Sequence, residues 1–206
     1  MNLPSFTKED FQVFTINGLD ERMAAIRTRI QPKFKLIGTE LTADLSTLIG
    51  DEMFLHIAKH ARRTVNPPKD TWLAIGPNKR GYKQYPHFQL GLFDDHLFIW
   101  LAFIYELPNK TEIATKLMDQ MDTIKQLIPS DFVISRDHMV KGANPVSDIE
   151  LQEALHRFQT VKKAELLIGR NIQHDDEILS KPEELYTLAL NTFKTLIPIY
   201  KMAYSS

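Results

Sequence analysis

From Asp20 onward, apolar residues recur at helical spacing: Met23, Ile26, Ile30, Phe34, Ile37, Leu41, Leu45 and Leu48. This period predicts an amphipathic helix, with Pro32 and Gly38 dividing it into two or three pieces. A short helix is expected near residues 7–14, where Thr7 can cap and Asp10 stands three positions on. The same cap-and-carboxylate pattern, which satisfies free amides at a helix start, recurs at Asn109/Glu112, Ser147/Glu150 and Ser180/Glu183. Their stripes are Ile113, Leu117, Met121 and Ile124; Leu151, Leu155 and Phe158; and Leu185, Leu188, Phe193 and Leu196. Pro198 is expected to bend or end the last helix.

Between the helical stretches the period falls to two. Residues 88–104 predict a hairpin turning at Asp94-Asp95. With Phe93 paired to His96, Phe88, Leu90 and Leu92 lie opposite Leu101, Ile99 and Leu97 on one aliphatic face. The other face then carries His87, Gln89, Gly91 and Phe93 opposite Ala102, Trp100, Phe98 and His96. Residues 71–75 continue the division, with Leu73 and Ile75 on the aliphatic side and Trp72 and Ala74 on the mixed side. Residues 53–61 read as a strand sending His56 and His60 to the mixed side, with a helix as the alternative because Met53, Ile57 and Ala61 also share a helical stripe. Residues 131–135 and 164–172 predict further strands. Runs of strands followed by helices favour an α+β fold, a single antiparallel sheet flanked by several helices in two layers, with residues 1–206 forming one domain.

Composition adds constraints. The 206 residues are 43% hydrophobic, enough for one sizeable core, and the formal net charge is -1. No cysteine occurs, which excludes disulfides, thiolate metal sites and cysteine nucleophiles. The N-terminal stretch shows no basic segment followed by an apolar one, and residues 97–105, the most apolar run, are about half the length of a membrane-crossing helix. A soluble, cytoplasmic protein with no membrane partner is expected.

The chemistry concentrates in residues 50–106, which hold four of the seven histidines and both tryptophans. Two readings of the mixed face stand. It packs under other elements, or it floors a groove built from Trp72, Trp100, Gln89 and His87, with His56 and His60 beside it. His56 and His60 have the spacing of a metal pair on a helix, but on a strand they stand about 13 Å apart, so no metal is expected there. Residues 59–83 carry Lys59, Arg62, Arg63, Lys69, Lys79, Arg80 and Lys83 against the single acid Asp70, a net +6. Such a segment suits a phosphate, a carboxylate or nucleic acid, or it is solvated surface. GPNKRG at residues 76–81 lacks the lysine and hydroxyl of a phosphate loop, and no G-x-S-x-G elbow or dinucleotide fingerprint occurs. His174-Asp175-Asp176-Glu177 reads as solvated loop, and Asp137-His138 has no nucleophile near it in sequence.

The leading expectation is an anionic small molecule held over the mixed face. Arg62, Arg63, Lys79 and Arg80 would hold its charge, Trp72 and Trp100 its body, and His56, His60 or His87 would transfer a proton. Whether this extends to enzyme activity is open, and no catalytic residue or cofactor is assigned. The alternatives are a module contacting nucleic acid or an acidic protein, and a structural or regulatory homodimer.

Three stretches, FTINGLDERMAAIRTRIQP (14–32), GDEMFLHIAKHARRTVNPPKDTW (50–72) and NKRGYKQYPHFQLGLF (78–93), resemble the YktB-like family of uncharacterised cytoplasmic proteins of Gram-positive bacteria. The resemblance spans essentially the whole chain. It implies an α+β domain with an antiparallel sheet, loosely of the biotin–protein ligase catalytic architecture. It brings no activity, cofactor or catalytic residue, and no glycine-rich adenylate motif is present.

Overall fold

The computed structural model describes residues 3–204. Among them, one seven-stranded antiparallel sheet forms the centre of an α+β fold. Its strands are β1 (Phe54–Ile57), β2 (Thr71–Gly76), β3 (His87–Leu92), β4 (His96–Phe103), β5 (Val133–Ser135), β6 (Asn144–Pro145) and β7 (Leu166–Gln173), in the order β1-β2-β3-β4-β7-β5-β6.

The β3–β4 hairpin has the register that alternation and a two-residue turn predict. Phe88 pairs with Leu101, Gln89 with Trp100 and His87 with Ala102, and the Phe93 amide donates to the His96 carbonyl at 2.9 Å. The residues on the two sides of the sheet belong to separate cores. The larger gathers Leu73, Ile75, Phe88, Leu90, Leu97, Ile99 and Leu101 with the buried apolar side chains of the helices. The smaller joins Trp72, Ala74, Phe93, Phe98, Trp100, Ala102 and Leu167 with Ala58 and Ile104, and Tyr82 packs against it. Helices therefore cover one face and loops cover the other. Gly91 permits the second packing, since a Cβ there would lie 2.3 Å from Phe98 Cζ and 2.7 Å from Trp72 Cβ.

On the helical side lie α1 (Lys8–Gln12), α2 (Leu19–Ala25), α3 (Gln31–Ile49), α4 (Lys110–Asp119), α5 (Met121–Leu127), α6 (Asp148–Thr160) and α7 (Pro182–Met202). A π-helical segment, Ile26–Ile30, joins α2 to α3. Pro32 thus does not break the chain into separate helices: the wide turn just before it absorbs its missing N–H and its ring. Gly38 does not interrupt α3 either. It is a contact point, where a Cβ would stand 2.7 Å from Leu55 Cδ1 on β1.

The cap at Thr7 forms as expected, its amide donating to Asp10 Oδ2 at 2.7 Å. At Ser147 the hydroxyl accepts from the Glu150 amide at 3.1 Å. Asn109 makes no side-chain cap, and α7 starts after Ser180 with Pro182 in its first turn, so those two boxes mark helices without closing. Pro198 lies inside α7, which runs on to Met202. No helix among the described residues is long and apolar enough to cross a membrane.

Candidate functional site

β1 is shorter than residues 53–61. It ends at Ile57, the Ala58 amide still donates to the Trp72 carbonyl at 2.9 Å, and His60 then turns away with φ +50°. The strand sends Leu55 and Ile57 against the large core. His56 and His60 take different partners. His56 Nε2 is 2.9 Å from the Asn78 carbonyl, which can only accept, so this nitrogen carries the proton. His60 Nε2 lies 3.1 Å from Thr71 Oγ1, and its ring meets Trp72 edge-on.

A cleft of about 760 Å³ opens between His56–Lys59 and the loop at residues 78–85. Asn78 shapes the loop: its Oδ1 accepts from the Arg80 amide at 2.8 Å, and its Nδ2 donates to the Tyr85 hydroxyl at 3.2 Å. This side-chain turn holds Arg80, Tyr82 and Tyr85 along one wall. Lys83 is engaged by Glu106 at 3.0 Å. Lys59, Lys79 and Arg80 are exposed, and none has an acidic partner among the described residues. Arg80 and Lys59 line the cleft.

Tyr82 connects the cleft to the buried face. Its ring lies 5.3 Å from that of His56 and 4.7 Å from that of His87. Its hydroxyl accepts the Trp72 indole N–H at 3.0 Å, and burial pushes its pKa up to about 12. Behind it, His87 Nδ1 donates to the Tyr85 carbonyl at 2.7 Å, while Nε2 accepts from the Gln89 amide at 2.9 Å. Trp100 donates to Asn171 Oδ1 at 3.2 Å.

The structure therefore divides the candidate residues. His56 and Arg80 line the cleft, with Lys79 beside Arg80 in the chain. His87, Gln89 and Trp100 are buried, Trp72 nearly so, and the cleft wall is Tyr82 where the sequence suggested tryptophan. Arg63 lines a second pocket of about 630 Å³ with Arg22, Asn66, Pro67, Lys69 and Met139. Arg62 is exposed and lines neither.

Burial also overturns the expectation that these histidines titrate near neutrality. It pulls His87 down to about 3 and His60 to about 4, and lowers His56 as well. All three are neutral at pH 7.

Sequence reasoning missed a second gathering. His138 follows β5, Glu165 precedes β7 and Asp70 precedes β2. Glu165 Oε2 accepts from both Nδ1 and the backbone amide of His138, at 2.7 and 2.9 Å. Burial opposes charge on His138, but Glu165, with Asp70 and Asp137, outweighs it and raises its pKa. Asp70 is 1% exposed, and burial lifts its pKa to about 6. Trp72 joins this group to the aromatic face, its ring edge-on to His138 at 5.8 Å.

The family described as a domain of unknown function, DUF1054, matches residues 6–200. A UPF0637 protein of Shouchella clausii is 58% identical over 203 residues, covering 98% of this chain and 96% of its own. A relative from Oceanobacillus iheyensis is 56% identical over 201 residues, with 98% and 97% covered. Another from Listeria welshimeri is 50% identical over 203 residues, with 98% and 99% covered.

Proposed function

We propose a function for this chain, which belongs to the DUF1054 family of unknown function, from the site itself: it binds an anionic small molecule in the cleft between β1 and the loop at residues 78–85. One observation carries the reading. Two cations without acidic partners, Lys59 and Arg80, line a cleft of about 760 Å³ that also holds His56, Tyr82 and Tyr85. That volume suits a small organic ligand, and aromatic walls with a few polar groups fix its orientation. Arg80 presents a planar donor fork to a phosphate or carboxylate, and Lys59 adds a point charge. His56 donates to the Asn78 carbonyl and so positions the loop, while burial, opposed by that bond, lowers its pKa. The buried Trp72, His87, Gln89 and Trp100 support the wall from behind.

The test is isothermal titration with inorganic pyrophosphate, a nucleoside monophosphate and an aryl carboxylate, using wild type, Arg80→Ala and Lys59→Ala. At least one probe is expected to bind, and Arg80→Ala to weaken it about tenfold, the loss of one charged hydrogen bond. Arg62→Ala, away from the cleft, leaves affinity unchanged. No binding by any probe, or affinity indifferent to both cleft substitutions, refutes the reading.

The exposed Arg62, Lys69 and Lys79 favour a second reading, contact with nucleic acid or an acidic protein. Affinity for a duplex that falls steeply with salt would support it, since each phosphate contact releases counterions. The homodimer reading, with the mixed face of the sheet as the interface, has less to stand on, because Phe98 and Trp100 on that face are buried within the chain itself.

A further inference from the structure

We propose that Asp137, His138 and Glu165, with the buried carboxylate of Asp70 adding negative charge nearby, form a binding site for a divalent transition-metal ion, separate from the cleft. The strands converge there from distant parts of the chain. One ligand atom each from Asp137, His138 and Glu165 lies within 4.8 Å of the others. Donors at about 2.0–2.2 Å from one ion stand at most about 4.4 Å apart, so small side-chain adjustments close the set.

Asp70 supplies the independent observation. It is 1% exposed, and neither of its carboxylate oxygens has a hydrogen-bond partner among the described residues. A buried carboxylate without a partner is costly, and natural proteins retain one where something binds it. Its carboxylate is within electrostatic reach of His138 and Asp137 and so adds negative charge near this cluster. Arg63 is the cation that also acts on it, and that side chain is turned toward the Asn66 carbonyl at 3.4 Å. Arg22, the other nearby guanidinium, is held by the Ile16 and Pro68 carbonyls, each at 2.8 Å.

The rest of the surroundings are those of a prepared site. Glu165 Oε2 is held by the His138 backbone amide at 2.9 Å and lies 2.7 Å from Nδ1, so an ion that replaces the Nδ1 proton finds both atoms side by side. Trp72 packs against the ring edge. Asp137 is exposed and opens the cluster to solvent, while Lys69 and Met139, chain neighbours of Asp70 and His138, line the second pocket beside it. One imidazole with two carboxylates, and a third carboxylate nearby, is an oxygen-rich set that suits Mn²⁺ or Zn²⁺ better than a thiophilic ion.

The experiment uses the full chain, treated with chelator and desalted, then titrated with MnCl₂ by electron paramagnetic resonance and calorimetry, and with ZnCl₂ in parallel. One equivalent of either ion is expected to bind, and Asp70→Asn, nearly isosteric, to weaken it at least tenfold. Asp137→Asn, at an exposed position, weakens it with the fold intact and so answers the question even if a buried variant unfolds. Asp175→Asn, on the acidic loop before α7, and Arg80→Ala, in the cleft, leave metal affinity unchanged, so failure here is distinct from failure of the anion reading. Absence of stoichiometric binding of both ions at millimolar concentration, or binding that survives both Asp70→Asn and Asp137→Asn, overturns the proposal.

Discussion

Acidification should destabilise this protein through His87, and the size of the effect follows from its surroundings. The ring is fully buried, with Nδ1–H committed to the Tyr85 carbonyl and Nε2 accepting from the Gln89 amide. A second proton would have to enter on Nε2, facing the donor group of Gln89. Burial is the main reason its pKa falls from 6.5 to about 3, and the carbonyl of Tyr85 opposes it only in part. The unfolded chain takes up the proton below pH 6.5, whereas the folded one does not until about pH 3. Stability is therefore complete above the unfolded value and lost as the pH falls, at about 1.4 kcal/mol per unit. Between pH 7 and pH 4 the loss from this residue is about 3 kcal/mol, a large share of a typical domain's stability. His60, lowered to about 4, acts with the same sign. The measurement is urea unfolding at pH 7, 5.5 and 4, followed by the fluorescence of the buried Trp72 and Trp100, in wild type and His87→Asn. Asparagine retains a donor for the Tyr85 carbonyl but cannot protonate. Contributions from all other groups are common to both proteins, so the difference in pH slope isolates His87. The variant is less stable at pH 7, yet it should lose about 3 kcal/mol less than wild type on acidification. Parallel slopes would refute the argument.

Two further substitutions probe the face that His87 supports. Gly91→Ala places a methyl 2.3 Å from Phe98 Cζ and 2.7 Å from the Thr71 carbonyl oxygen, which is backbone and cannot swing away. It should cost about 1–3 kcal/mol, the usual range for overpacking, and an unchanged urea midpoint would contradict the close approach. Tyr82→Phe removes the hydroxyl that accepts the Trp72 indole N–H at 3.0 Å. A loss of about 1 kcal/mol with a shift in tryptophan emission is expected, and identical spectra with identical stability would show that this bond is not formed in solution.

The division of the sheet into two faces was legible in the chain because it rests on local rules. A two-residue turn at Asp94-Asp95 fixes the register of β3 on β4, and alternation then assigns every side chain from His87 to Phe103. Helix positions were legible for the same reason, down to the Thr7–Asp10 cap. What covers the second face was not. Tyr82 lies in a loop whose path depends on an Asn78 turn and on the donor carried by Trp72, and neither has a periodic signature. The histidines misled in one respect: their ordinary pKa near neutrality holds in water, and burial under that loop removed it.

The buried charges show most sharply why residue type and spacing fall short. Asp70 stood out in the sequence only as the lone acid of a basic run. In the fold neither of its oxygens has a hydrogen-bond partner among the described residues, and it feels His138 and Asp137 as well as Arg63. His138 and Glu165, 27 positions apart, share two hydrogen bonds. The order β4-β7-β5 brings the ends of β5 and β7 together, and no local pattern encodes that order. The two functional readings thus rest on opposite electrostatics within one molecule. Exposed cations without partners at the cleft call for an anion, and a buried acid without partners beneath the neighbouring loops calls for a cation. Because Tyr82 and His138 both touch Trp72, a ligand that moves one wall has a packed path to the other. Coupling between them would appear as a change in metal affinity when the cleft is occupied, and equal affinity with and without the anion would make the sites independent.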